Sequence, residues 1–208
     1  MDRRYFLKGL SLGLMAGPLI LSKTANALLR CTPFNFQGIQ QCEVGIDSSI
    51  AYVTAAAVGG QHLNQWCWAA CIEMVFRHYG YIVPQEVIVQ QTWGRIVNLP
   101  GQPGQIIMNL NRPWVDASGN RFRVTGDVFS ANHVTAAQDL SQNMPLIIGT
   151  MGHAMVLTSL QYIRNQFGQG NVTAAVVRDP WPGRGRRVLS PQEWYGTGFL
   201  ARIRVFQM

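Results

Sequence analysis

Lysine is missing from every position after Lys23, and only ten of the 208 residues are acidic. The lysine gap is read as arginine-favouring codon usage rather than as escape from lysine-directed modification. Charged residues of both signs make up 13% of the chain against 48% hydrophobic, which excludes a disordered, charge-rich protein. No internal repeat is present. Beyond residue 27 no apolar run is long enough to cross a bilayer. The length suits one domain with a sizeable core. The formal net charge is +7, but Arg3, Arg4, Lys8 and Lys23 lie near the N-terminus. The remainder carries 13 basic and 9 acidic residues, a net +4, and only Arg184, Arg186 and Arg187 cluster. That pattern does not describe a nucleic-acid-binding surface.

What is present begins with a leader. Asp2-Arg3-Arg4-Tyr5-Phe6-Leu7-Lys8 resembles a twin-arginine export signal. An apolar stretch follows from Gly9 to Leu21, broken by Pro18, and then the small-residue site Ala25-Asn26-Ala27. Cleavage after Ala27 is expected, leaving residues 28–208 as the mature domain. Export by the twin-arginine machinery implies a periplasmic or secreted protein, with no membrane attachment once the leader is removed.

Residues 28–60 read as an irregular arm with one apolar run, Ile50 to Val58. Helices are expected from Cys67 to Gly80, Pro84 to Trp93, Gly104 to Asn111 and Asn132 to Gln142. The apolar period then changes. Pro145–Thr150, Ala154–Leu160, Asn171–Arg178 and Phe199–Val205 read as strands, rich in β-branched and aliphatic residues. Helices first and strands later predict an α+β fold, with N-terminal helices packed on a C-terminal antiparallel sheet.

Of the four cysteines, Cys31 and Cys42 flank a polar segment and can close a small loop as a disulfide in an oxidising compartment. Cys67 and Cys71 are four apart on one helix face and cannot bridge there without strain. With His78 they match no common zinc spacing, so no metal is expected. Cys67 opens its helix, where exposed amides and the helix dipole favour a thiolate. Gln61, six residues upstream, offers a side-chain amide as a second oxyanion donor beside the Cys67 amide. A buried, inert Cys67 is the competing reading, and these residues alone leave the two balanced.

A glutamine six residues before a cysteine–tryptophan pair that opens a helix resembles the papain-like cysteine proteases. The stretch Trp66-Cys67-Trp68-Ala69-Ala70-Cys71 is similar to a bacterial branch. That branch includes secreted effector proteases of plant pathogens and relatives of bacteriocin-leader peptidases. By order of motifs the resemblance covers roughly residues 55–205. His153, in Gly149-Thr-Met-Gly-His153-Ala-Met-Val-Leu157, stands where a strand starts after a glycine turn. It matches the family's general base. His62 faces a loop, His78 shares the nucleophile's helix three turns away, and His133 opens another helix. Asp179, in Asp-Pro-Trp, matches the residue that orients the imidazole, and papain itself has asparagine there. A turn cap before Pro180 is the alternative for Asp179. The resemblance implies acyl transfer on a protein or peptide substrate with no cofactor. A papain-fold amidase or acyltransferase, and a catalytically silent binding module, stay open.

Overall fold

Alternation in the late apolar strands produces a sheet that is dry on both faces. The computed structural model describes residues 27–208, so the expected leader lies outside the described residues apart from Ala27. In β5 (Leu146–Thr150), β6 (His153–Asn165) and β9 (Thr197–Gln207), successive side chains point to opposite faces. Ile147, Ala154, Val156, Ala201 and Ile203 enter one core. Leu146, Ile148, Met155, Leu157 and Leu200 enter the other. The first core is closed by α2 (Cys67–His78), flanked by α1 (Ser48–Val58) and α3 (Gln85–Trp93). The second is closed by α5 (His133–Ser141), which buries Ala136, Ala137 and Leu140.

The architecture is α+β around one nine-stranded, wholly antiparallel sheet. β6 organises it. One edge pairs first with β5 and then with β2 (Ile39–Gly45), and the other edge pairs with β7 (Gly170–Asp179). β8 (Gly185–Val188) extends β7 outward. β9 lies between β5 and β4 (Arg121–Phe129), and β3 (Pro113–Val115) closes that edge. The remaining helices are α4 (Pro103–Leu110) and the short α6 (Pro191–Tyr195). Among the described residues no helix is long and apolar enough to cross a membrane.

The four expected helices and four expected strands are present with small shifts at their ends, except that the strand expected over Ala154–Leu160 runs on to Asn165. The irregular arm is not. Residues 28–60 form β1 (Leu28–Cys31), β2 and α1, so the sheet is not confined to the second half of the chain. β2 was hidden because only Cys42, Val44 and Gly45 of its seven residues are buried, too few to show alternation. α1 starts where the Asp47 carboxylate accepts from the Ser49 amide at 2.9 Å, and ends at Gly59 in a left-handed conformation. Cys31 and Cys42 face each other across the β1–β2 pair and are joined by a disulfide.

Candidate active site

α2 begins without a side-chain cap, so its first amides are not satisfied by a capping oxygen. The sulfur of its first residue, Cys67, occupies that position, partly exposed. Burial pushes the thiol's pKa up. Hydrogen bonding from the His153 ring and the Ala154 and Trp68 amides, with the charge on His153, outweighs burial and brings the pKa below its ordinary value. Cys71, one turn on, is fully buried in the core. Burial, then repulsion from Cys67 and Asp179, drives its pKa well up, so it stays a neutral thiol.

Buried tryptophans on either side of Cys67 anchor the loop that forms one wall. Trp66 Nε1 donates to the Val97 carbonyl at 2.8 Å, and Trp68 Nε1 to Leu99 at 3.1 Å. Gly101 lies so close over Trp68 that a Cβ there would stand 2.5 Å from the indole. The Asn98 side chain accepts from the Gln65 amide and donates to Asn64. The 97–101 loop is thereby pinned to the segment preceding α2.

The opposite wall comes from the sheet. β5 and β6 are joined by the two residues Met151 (φ 50°) and Gly152 (φ 78°), and this tight hairpin fixes His153 at the first position of β6. Antiparallel pairing returns the end of β7 to the same place. His153 Nε2 lies 2.7 Å from Asp179 Oδ1. Burial alone would lower the His153 pKa, but hydrogen bonds and charge from Asp179 and Cys67 raise it to about 9. Burial likewise opposes the charge on Asp179. The hydrogen bond from His153, the Trp181 amide at 2.9 Å and the guanidinium of Arg187 hold its pKa at about 2.

Cys67 and His153 face one open cleft of about 730 Å³ between these walls. On its sheet side Gly149 leaves the space that the Phe199 ring fills, since a Cβ there would stand 2.0 Å from the ring. The other histidines lie elsewhere. His62 pairs with Glu86 at 2.7 Å on the surface, His78 Nε2 bonds the Asn143 carbonyl at 2.8 Å, and His133 opens α5 beside Tyr162. Among the described residues no cluster of His, Cys, Asp and Glu could hold a metal ion.

Gln61 departs from the expected orientation. Its side chain is buried and Nε2 donates to the Leu63 carbonyl at 3.0 Å, inside its own loop, instead of turning into the cleft. Reversing the amide would set Oε1 against that carbonyl, oxygen to oxygen. Backbone bonds hold the loop. The Gln61 amide donates to Pro180 at 2.7 Å, and the fully buried Gln85 bonds both Gly60 and His62. The second N–H of Gln61 makes no hydrogen bond among the described residues.

Two functional neighbours had escaped sequence reasoning. Arg187 donates to Asp179 Oδ2 at 2.8 Å and makes a two-pronged contact with Glu193 at 2.7 and 3.0 Å. That pairing holds the Glu193 pKa at about 2. The signals were there: the arginine cluster at 184–187, and the Ser190–Glu193 capping box of α6.

No family model matches the chain, and no curated protein sequence matches it. Among solved structures it is similar to the peptidase domain of Streptococcus ComA, a bifunctional ABC transporter of a quorum-sensing pathway. The TM-score is 0.47 at 16% identity, over 72% of this chain and 96% of that one.

Proposed function

We propose that the protein is an exported cysteine peptidase of papain-like type that hydrolyses peptide bonds through Cys67. The observation that carries this reading is the convergence of Cys67, at an uncapped helix start, with the His153–Asp179 pair across one cleft. A thiol of lowered pKa beside an imidazole of raised pKa is the electrostatic signature of a thiolate–imidazolium pair.

In this mechanism the thiolate attacks the scissile carbonyl and an S–C bond forms. The Cys67 amide holds the oxyanion, and the free N–H of Gln61 joins it once the side chain turns toward the cleft. His153 gives its proton to the departing amine from Nδ1, the nitrogen not engaged by Asp179, and the C–N bond breaks. Water then adds to the thioester, returning a proton to Nδ1, and S–C cleavage releases the acid.

Incubation with a peptidyl epoxysuccinate, followed by mass spectrometry, is expected to label Cys67 once per chain and leave Cys71 unmodified. A peptide library should be cleaved before labelling and not after it. Labelling without any cleavage would redirect the reading to an amidase or acyltransferase, and no labelling would favour a silent binding module.

Export is proposed from the leader residues. Arg3→Lys with Arg4→Lys is expected to leave uncleaved precursor in the cytoplasm. Mature periplasmic protein from that double variant would exclude the twin-arginine route.

A further inference from the structure

Positive charge on β7 and β8 is left without local balance. Arg178 and Arg186 stand directly opposite each other across the strand pair. Like charges so placed cost stability, and broken local rules of this kind collect at functional sites. Arg187 is taken up by Asp179 and Glu193. Arg184 has an exposed side chain. The carboxylate oxygen near it, Asp179 Oδ2, is 3.8 Å away and already accepts from Arg187.

Arg178 is the odd member. It is half-buried, and among the described residues it pairs with no carboxylate. Its buried Nε has no hydrogen-bond partner. A buried guanidinium N–H left unpaired is expensive, so the position is suited to a missing acceptor. Tyr52 lies beneath it, the ring centroid 6.0 Å from the guanidinium carbon. Burial, and then the charge on Arg186, lower its pKa.

Arg178, Arg184, Tyr52, Asp179 and the last turn of α1 bound a cavity of about 350 Å³, with the Asp179 carboxylate already engaged by His153 and Arg187. Trp181 and Arg184 line both this cavity and the cleft, so the two adjoin there. The Trp181 ring stands edge-on to His153 at 6.3 Å. Because His153 protonates the leaving amine, the leaving segment of a substrate departs on that side.

We propose that this cavity binds a carboxylate in the leaving segment of the substrate, held between Arg178 and Arg184. The inference rests on the peptidase reading and narrows it to peptides with an acidic group beyond the scissile bond. A planar carboxylate matches the guanidinium fork, satisfies the orphaned Nε–H and screens Arg178 from Arg186. The group is either an Asp or Glu side chain or the free C-terminus of a peptide ending shortly after the bond.

Three peptides taken from a cleaved library sequence test this. They differ only in the leaving segment: Glu with an amidated end, Gln with an amidated end, and Gln with a free end. A carboxylate peptide is expected to show kcat/KM about 10-fold above the neutral one, and the peptide that does so identifies the source. In Arg178→Gln/Arg184→Gln the ratio of kcat/KM between the carboxylate and neutral peptides should fall to about one. Arg184→Gln alone, at an exposed position, should reduce it if the double variant does not fold. Equal cleavage of all three peptides, or an advantage that survives both variants, overturns the proposal.

A second measurement does not need catalysis. In Cys67→Ala protein, the NMR signal of the Arg178 Nε–H should move on titration with N-acetylglutamate and not with N-acetylglutamine amide, which carries no carboxylate. If no peptide is cleaved but the signal moves, the peptidase reading fails and the carboxylate site stands. If the signal is indifferent to both, the site is overturned whatever the activity.

Discussion

Cys67→Ala is expected to lower kcat/KM on any cleaved peptide by at least about a thousandfold, because it removes the atom that forms the covalent intermediate. Cys71→Ser should retain most activity. Both sulfurs belong to α2, but only Cys67 meets the cleft and the His153 ring. Cys71 is sealed in the core with its proton held firmly. A hydroxyl at that apolar position should cost about 1–3 kcal/mol of stability, read as a lowered urea midpoint. The reverse pattern, an active Cys67→Ala and a folded but dead Cys71→Ser, would remove the assignment.

Much of this arrangement could be read before any coordinates. Residues 67–78 announce themselves by apolar spacing, and the strands at 146–150 and 153–165 by their aliphatic run. Cys67, His153 and Asp179 stand out by position, at a helix start, a strand start after a glycine turn and a strand end before proline, together with the resemblance to papain-like proteases. Other features depend on partners distant in sequence. β2 gains its burial from β6, over a hundred residues away, and from α5, while β1 stays largely exposed and pairs with β2. β4 did carry a signal, with Phe122 and Val124 alternating against Arg121 and Arg123, but Gly126 and Asp127 interrupt it. The Gln61 orientation depends on which carbonyl its loop happens to present, and no residue pattern encodes that. Arg187 was visible only as part of a basic cluster, since its two carboxylate partners flank it by fold and not by motif.

Asp179→Asn should reduce kcat/KM by roughly 10²–10⁴-fold and also reshape its dependence on pH. Asparagine keeps an acceptor for His153 but removes the negative charge. The imidazolium, held up to about pH 9 in part by that charge, then loses its proton at lower pH, and the alkaline limb moves down. Stability follows the same groups. The His153 pKa is raised on folding, so its contribution is complete below an unfolded value of about 6.5 and fades as pH rises through about 9. The Asp179 pKa is depressed, so its contribution is complete above an unfolded value of about 3.9 and fades as pH falls through about 2. For these two groups the native protein should be most stable between those unfolded values. In the variant the melting temperature should vary less on both sides of that window. An alkaline limb that stays in place would show that the carboxylate does not govern His153. Arg187, left with Glu193 alone, should keep α6 docked, so circular dichroism of the variant should remain native.

The last strand of the chain is not at the rim of the sheet. β9 is inserted between β5 and β4, and its Leu200, Ala201 and Ile203 complete both cores. Synthesis runs from the N-terminus, so a nascent chain reaches residue 196 with its central sheet still split in two. Until Thr197–Gln207 has left the ribosome, β5 has an open edge and Phe199 is not yet packed over Gly149. A chain of this connectivity closes the sheet side of its cleft only when β9 is in place.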